Sequence, residues 1–271
     1  MSVAVVFDSA GTLLFTRRVA KDVLKGEILP EIESTILTFS SPDRVLVVLH
    51  ATTRDFIDAD PEKNLSEYLK EHSIGFGISC TRRVITSDEV AEILYNDGTA
   101  KLGDVQECIR DVWDAVKNEP ILSLNTGVIL NVMIPGIEFT ITTGGVPFEG
   151  ARDTITDLHK MGVPTYIASG DRLEKLERMA DHLGIPRDRV YGIATPLMKA
   201  KIVEDLKEQY NTVVMVGDSV NDIYALRKAD VAILTLQQTG ERPLELIKAA
   251  NYKVKSIREV LTIVKKLDNL S

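Results

Sequence analysis

Four short segments of this sequence carry residue types that bind phosphate groups and divalent metal ions. They are separated by long stretches of chain and lie at residues 8–12, 169–171, 196–199 and 217–222. Each follows a predicted strand or opens a predicted helix, where polar groups can face a ligand. Taken singly, each segment is also an ordinary turn or helix cap. Their order and placement together indicate a single site.

The first two segments offer a carboxylate and several hydrogen-bond donors. Asp8 stands at the tip of the first predicted strand, and the turn through Gly11 and Thr12 directs backbone N–H groups towards an anion. In the second segment the Ser169 hydroxyl can donate to a phosphate oxygen, next to Gly170 at the start of a predicted helix. These groups favour binding of a phosphoryl group.

The last two segments supply a cation and a set of oxygen ligands. Lys199 lies in the first turn of a predicted helix, where a positive charge is unfavourable unless a negative group answers it. Asp218, Asn221 and Asp222 place two carboxylates and a carboxamide at a strand tip. Mg²⁺ prefers such oxygen ligands, together with water and phosphate oxygens. The sequence therefore predicts a magnesium and phosphate site.

The elements that position these segments alternate between strand and helix. Strands are predicted at residues 3–7, 163–168, 190–193, 212–216 and 231–234. Helices are predicted at residues 149–161, 172–183, 197–209, 221–228, 243–250 and 257–267. This alternation is typical of a parallel sheet with helices on both faces, whose ligands bind at the carboxyl ends of the strands.

The middle of the chain has a less regular pattern. After a helix-like stretch, strands are predicted at 45–51 and near 77–81, helices near 87–94 and 105–116, and a β-hairpin at 127–143 that turns at Pro135 and Gly136. We therefore predict an α/β protein with a Rossmann-like parallel-sheet core, residues 1–14 and 145–271. Residues 15–144 form an inserted α+β domain, with residues 142–145 as a hinge.

Composition excludes several classes of function. Lys and Arg total 32 against 40 Asp and Glu, a net charge of −8 that argues against nucleic-acid binding. The chain has no apolar run near the roughly 18 residues of a membrane span, and its first residues do not resemble a signal peptide. Cys80 and Cys108 are its only cysteines, too few for a disulfide framework. We expect a cytoplasmic protein that binds neither nucleic acid nor membranes; its oligomeric state stays open.

The four segments together resemble the motifs of the haloacid dehalogenase superfamily, and most of all the phosphorylation domain of P-type ATPases. Those domains carry Asp-Lys-Thr-Gly-Thr, Thr-Gly-Asp, Pro-x-x-Lys and Gly-Asp-Gly-x-Asn-Asp. Here the same places hold Asp-Ser-Ala-Gly-Thr, Ser-Gly-Asp, Pro-Leu-Met-Lys and Gly-Asp-Ser-Val-Asn-Asp. The resemblance covers residues 1–14 and about 146–250. It implies that the inserted domain is the family's cap domain.

The resemblance also implies a role for each residue. Asp8 is the nucleophile that accepts a phosphoryl group from a small phosphorylated substrate. The implied Mg²⁺ ligands are Asp8, the backbone carbonyl of Ala10 and Asp218, with support from Asn221 and Asp222. The implied phosphoryl-binding residues are Gly11, Thr12, Ser169, Gly170 and Lys199. Physical chemistry agrees, because a carboxylate that attacks an anionic phosphate needs cations to offset the repulsion.

One position departs from the family pattern. Phosphatases of this superfamily usually carry a second Asp two residues after the nucleophile, which protonates the leaving group. Here that position is Ala10, which has no proton to give. Proton transfer by a positioned side chain is worth about 10²–10⁴-fold in rate. P-type ATPases have Thr at this place, and phosphonoacetaldehyde hydrolases have Ala.

Three functions therefore stay open. The first is a Mg²⁺-dependent phosphohydrolase or ATPase with a slow aspartyl-phosphate cycle. The second is cleavage of a phosphonate C–P bond, which needs a Schiff-base lysine from the cap, with Lys21 and Lys25 as candidates. The third is a non-catalytic, regulatory module that binds Mg²⁺ and phosphate.

Overall fold

The computed structural model describes residues 2–116, 120–240 and 242–269. The strands are β1 Val3–Phe7, β2 Leu14–Asp22, β3 Glu27–Pro30, β4 Arg44–Leu49, β5 Phe76–Thr81, β6 Ser123–Asn131, β7 Gly136–Pro147, β8 Thr165–Ala168, β9 Val190–Tyr191, β10 Thr212–Gly217, β11 Val231–Thr235 and β12 Tyr252–Val254. The helices are α1 Ser34–Phe39, α2 Thr53–Ile57, α3 Leu65–Glu71, α4 Ser87–Asn96, α5 Leu102–Val116, α6 Ala151–Lys160, α7 Leu173–Leu183, α8 Pro196–Leu206, α9 Ile223–Lys228, α10 Leu244–Ala249 and α11 Arg258–Asn269.

Six strands form a parallel sheet in the order β12-β11-β10-β1-β8-β9. The two central strands, β1 and β10, are buried along their whole length and are apolar apart from Thr212. Such continuous apolar runs are typical of parallel strands covered on both faces. The predicted α/β class with a parallel-sheet core is confirmed.

One face of this sheet packs against the helices that follow the site-bearing strands. Alternate residues of β1, β10 and β11 form a buried cluster with α8, α9 and α10, including Val6, Met215, Leu234, Val203 and Leu226. Burial of each such side chain contributes about 1.5–3 kcal/mol to folding. The strands that carry the predicted site are therefore supported by a well-packed core.

The second sheet has the order β3-β2-β7-β6-β4-β5. The pairs β2·β3, β4·β5 and β4·β6 are antiparallel, and a separate apolar core lies between this sheet and its own helices. The predicted strands at 45–51 and 77–81 correspond to β4 and β5. The predicted helices at 87–94 and 105–116 correspond to α4 and α5.

Two features of the sequence prediction differ from the structure, and a third, the predicted hinge, stays open. Strands β2, β3 and β12 and helices α2 and α3 were not predicted, because these elements are short or rich in charged residues. The helix-like stretch contains only the six-residue helix α1. Residues 142–145, the predicted hinge, lie inside β7, and the division between the two compact units falls there, at Gly144 and Gly145. That this segment acts as a hinge stays a prediction.

The chain divides into two compact units. One comprises Met1–Thr16 and Gly145–Ser271, and the other comprises Arg17–Gly144. The first contains the parallel sheet and all four motif segments. That the second unit is a cap domain stays a prediction.

Candidate active site

The register of the two central strands brings two carboxylates of the first unit together. Phe7 lies opposite Val216, and the backbone N–H of Asp8 donates to the carbonyl of Val216 at 2.9 Å. Asp8 and Asp218 therefore leave the sheet side by side, at the carboxyl ends of β1 and β10. Asp8, Asp218 and Asp222 are all buried, and each has a carboxylate oxygen within 4.8 Å of the others.

The turn after β1 depends on glycine at position 11. Gly11 has a φ of +75°, a left-handed conformation that side chains rarely adopt. A Cβ atom at this position would lie 2.1 Å from Oδ2 of Asp218. The Asp218 carboxylate thus occupies the space next to the glycine, so this turn and the metal-binding segment fit each other directly.

Lys199 joins two of the three carboxylates. Its Nζ lies 2.6 Å from Oδ1 of Asp8 and 2.7 Å from Oδ1 of Asp222, and the lysine side chain is only 4% exposed. The local sequence explains this placement. Thr195 caps α8 by accepting from the N–H of Met198, and Pro196 opens the helix, so that Lys199 lies at the end of the first turn.

The second oxygen of Asp222 organises the loop that carries Asp218. Oδ2 of Asp222 accepts from the N–H groups of Asp218 and Ser219, both at 3.1 Å, and from the Ser219 hydroxyl at 3.3 Å. Gly217 makes room for this side chain, because a Cβ there would lie 2.7 Å from the Cβ of Asp222. Both oxygens of Asp222 therefore have protein partners.

Burial and crowding of like charges change the acidity of the site. Burial, followed by the nearby Asp222 carboxylate, raises the pKa of Asp8 to about 7, although Lys199 acts in the opposite direction. Burial lowers the pKa of Lys199, but the carboxylates of Asp8 and Asp222 outweigh it and raise that pKa above its ordinary value. Lys199 is therefore a permanent positive charge, and a further cation would favour ionised Asp8.

The residues predicted to bind phosphate lie at the same edge of the sheet. Ser169 follows β8 and is 4% exposed, and its Oγ accepts from the N–H of Asp171 at 3.3 Å. This contact uses an oxygen lone pair, so the hydroxyl hydrogen can be donated to a ligand. Gly170 is exposed. Thr12 is fully buried, and its hydroxyl has no hydrogen-bond partner in the described part of the chain.

The donor set fits a magnesium ion. Buried carboxylates that converge within 4.8 Å are costly unless cations neutralise them, and Mg²⁺ is bound through one or two carboxylates plus water and substrate oxygens. Asp8 and Asp218 would hold it, with the backbone carbonyl of Ala10 in the same turn. Asn221 is exposed, in the 3-10 turn Val220–Asp222.

Sequence reasoning missed three residues that complete the site. Gln237 donates to the carbonyl of Thr12 at 3.3 Å, and Gln238 pairs with the backbone of Thr16. Arg242 places Nη2 3.3 Å from Oδ2 of Asp218. A sequence signal existed, because this loop follows β11 and therefore starts at the carboxyl edge of the sheet.

The two lysines considered for phosphonate chemistry are not suited to it. In the second unit, Nζ of Lys21 lies 2.9 Å from Asp104 and 2.7 Å from Glu107. Burial lowers the pKa of Lys21, but the two carboxylates outweigh it and raise the pKa, whereas a Schiff-base lysine needs a lowered one. Lys25 is 68% exposed and pairs with Asp22. The structure gives no support to either lysine as an amine nucleophile.

Comparison with known proteins agrees with this geometry. A family model described as haloacid dehalogenase-like hydrolase matches residues 3–230, most of the chain. The chain belongs to this family. It is therefore an enzyme of the hydrolase class, and the interpretation as a non-catalytic module is not supported.

Individual relatives extend the likeness. A protein of Methanocaldococcus jannaschii named soluble P-type ATPase-like phosphatase is 31% identical over 270 residues, covering 99% of this chain and 95% of that protein. A copper-transporting ATPase of Helicobacter pylori is 25% identical over 242 residues, covering 85% of this chain and 29% of that protein. A solved catalytic domain of the CPx-ATPase CopB-B is 18% identical with a TM-score of 0.47, covering 98% of this chain and 90% of that domain.

The transporters among these relatives raise the question of membrane helices. None of the helices in residues 2–116, 120–240 and 242–269 combines the length and apolar character that crossing a membrane requires.

Proposed function

We propose that this enzyme is a Mg²⁺-dependent phosphohydrolase that works through an aspartyl-phosphate at Asp8. The observation that carries the proposal is the convergence of Asp8, Asp218 and Lys199 at one edge of the parallel sheet. Its substrate is a small phosphorylated compound with a good leaving group, or ATP. The predicted cytoplasmic location and the cap role of the second unit belong to the same proposal.

The residues act in two chemical steps. A carboxylate oxygen of Asp8 attacks the phosphorus atom, and the P–O bond to the leaving group breaks as that group departs with the electron pair. Water then attacks the aspartyl-phosphate, releasing inorganic phosphate and regenerating Asp8. When bound, Mg²⁺ supplies positive charge that offsets the repulsion between carboxylate and phosphate.

The other side chains hold the phosphoryl group in line. Lys199 is fixed by Asp222 and carries the permanent charge next to Asp8. The Ser169 hydroxyl donates to a phosphoryl oxygen. The N–H groups of Gly11 and Thr12, which the sequence suggested as further donors, already donate to the carbonyls of Leu14 and Ser9. Positioning and electrostatics of this kind account for most of the catalysis of phosphoryl transfer.

Ala10 supports the restriction on substrates. With no carboxyl group two residues after Asp8, the leaving group must depart without a proton from this position. A nucleoside diphosphate, a carboxylate or a nitrophenolate can leave without being protonated, because each is stable as an anion. An alkoxide is too basic to leave readily without a proton. The relative named soluble P-type ATPase-like phosphatase supports phosphatase activity.

The test measures phosphate release from ATP, acetyl phosphate, p-nitrophenyl phosphate and glycerol phosphate, with and without Mg²⁺. We expect Mg²⁺-dependent turnover of the first three well above that of glycerol phosphate. We also expect Asp8→Asn to lower turnover by about 10³-fold or more. The matched control is Asp181→Asn, at an exposed position paired with Arg187. Wild-type rates in Asp8→Asn would rule out the covalent route.

A further inference from the structure

Arg242 brings a second cation to the carboxylate cluster. Its Nη2 lies 3.3 Å from Oδ2 of Asp218, and the two side chains are 12% and 11% exposed. Lys199 already pairs with Asp8 and Asp222. Each of the three buried carboxylates therefore has a positively charged protein partner, although only Lys199 belongs to a family motif.

The loop that carries Arg242 is anchored to the core. The side chain of Gln238 accepts from the N–H of Thr16 at 2.9 Å and donates to the Thr16 carbonyl at 3.1 Å. The backbone carbonyl of the same glutamine accepts from Nη2 of Arg242 at 3.1 Å. Gln238 thus holds the loop against Thr16 and also orients the guanidinium of Arg242. The contact between Arg242 and Asp218 is therefore supported by the fold.

The contact itself is a weak form of arginine–carboxylate pairing. One nitrogen, Nη2, serves both Asp218 and the Gln238 carbonyl, whereas strong pairs use two parallel N–H groups. Nε of Arg242 is buried and has no hydrogen-bond partner within residues 2–116, 120–240 and 242–269. An unsatisfied buried N–H is unfavourable. The guanidinium can therefore leave Asp218 at small cost.

We infer that Arg242 is a built-in counter-ion of the metal-free site, which a divalent cation must displace from Asp218. The inference rests on the proposed function, in which Asp218 binds Mg²⁺. Arg242 offsets the repulsion among the carboxylates when no metal is bound. Arg242 opposes metal binding in two ways. It occupies an oxygen of Asp218, and its positive charge repels the metal cation. Arg242 is thus a positioning residue that sets metal affinity.

The test measures the affinity of the protein for Mg²⁺ alone by isothermal titration calorimetry near pH 8, well above the ordinary pKa of carboxyl groups. We expect Arg242→Gln to bind Mg²⁺ about tenfold more tightly than the wild type, equivalent to about 1.4 kcal/mol. Arg242→Lys keeps the charge and should stay within about threefold of the wild type. The matched control is Arg227→Gln, which removes an exposed arginine paired with Glu245 in the same unit and should leave the affinity unchanged.

The outcomes separate this inference from the proposed function. If the wild type does not bind Mg²⁺, the proposed metal site fails and the inference with it. If the wild type binds and Arg242→Gln binds equally or more weakly, the inference alone is overturned, since Arg242 then does not oppose the metal. For a variant too unstable to titrate, the dissociation constant comes from the rise of its unfolding midpoint with Mg²⁺ concentration.

Discussion

Replacing Gly11 with alanine tests whether the turn after β1 and the carboxylate of Asp218 form one unit. The new Cβ would lie 2.1 Å from Oδ2 of Asp218, whereas ordinary contacts begin at 3.4 Å. The carboxylate must therefore retreat by about 1.3 Å, and a displacement of about 1 Å at a reacting centre can cost about 10²-fold in rate. We expect turnover to fall by at least that factor and Mg²⁺ affinity to fall with it.

The substitution also strains the backbone, and that effect must be separated from the clash. A non-glycine residue in the left-handed region costs about 1–2 kcal/mol. Gly162 is a matched control, because its φ of +77° is close to the +75° of Gly11 and a Cβ there would meet no atom within 4 Å. Gly162→Ala should therefore show the strain alone.

The assay compares both variants with the wild type by urea unfolding, Mg²⁺ titration and phosphate release from p-nitrophenyl phosphate. Both should lose about 1–2 kcal/mol of unfolding free energy in the absence of metal. Only Gly11→Ala should lose metal affinity and turnover. If Gly11→Ala matched Gly162→Ala in all three measurements, the reasoning about the Asp218 carboxylate would be refuted.

Two further predictions concern buried lysines. Lys199→Met leaves the Asp8 and Asp222 carboxylates without their buried partner, and should lower the unfolding free energy of the metal-free protein by about 3–5 kcal/mol. A loss below about 1 kcal/mol in urea unfolding would contradict it. In the second unit, Lys21→Met should cost about 1–3 kcal/mol at neutral pH, because Lys21 bonds to Asp104 and Glu107. Because folding raises the pKa of Lys21, this stabilisation is complete below about pH 10.4 and is lost as pH rises through the folded-state pKa. Wild type and variant should therefore converge in alkaline unfolding experiments, and a constant difference would count against the assignment.

The parallel core could be predicted from the sequence because two signals agree there. Apolar runs such as Val3–Phe7 alternate with amphipathic helices, two of which are followed by a glycine, and each polar segment follows a strand or opens a helix. Since carboxyl ends of parallel strands share one edge, Asp8 and Asp218 meet although 210 residues separate them. The contact between Lys199 and both Asp8 and Asp222 follows from the same arrangement.

The second unit was harder to predict for identifiable reasons. β2, Leu14–Asp22, contains two arginines, a lysine and an aspartate, which obscure the apolar alternation of a strand. Two of those charges have partners far along the chain, because Arg17 contacts Asp111 and Lys21 contacts Asp104. Local pattern cannot reveal such partners, because they depend on how the antiparallel sheet packs against α5.

The contacts of Asp222 indicate that the two aspartates of segment 217–222 have different roles. One oxygen holds Lys199, and the other accepts the N–H groups of Asp218 and Ser219. If either oxygen of Asp222 bound a metal ion, it would lose its present contacts. Asp222 would then no longer hold Lys199, or no longer hold the loop of Asp218 and Ser219. Asp218 contacts Arg242 through a single guanidinium nitrogen, a weaker contact than those of Asp222. This asymmetry favours Asp218 as the direct ligand and Asp222 as the residue that positions Asp218 and Lys199.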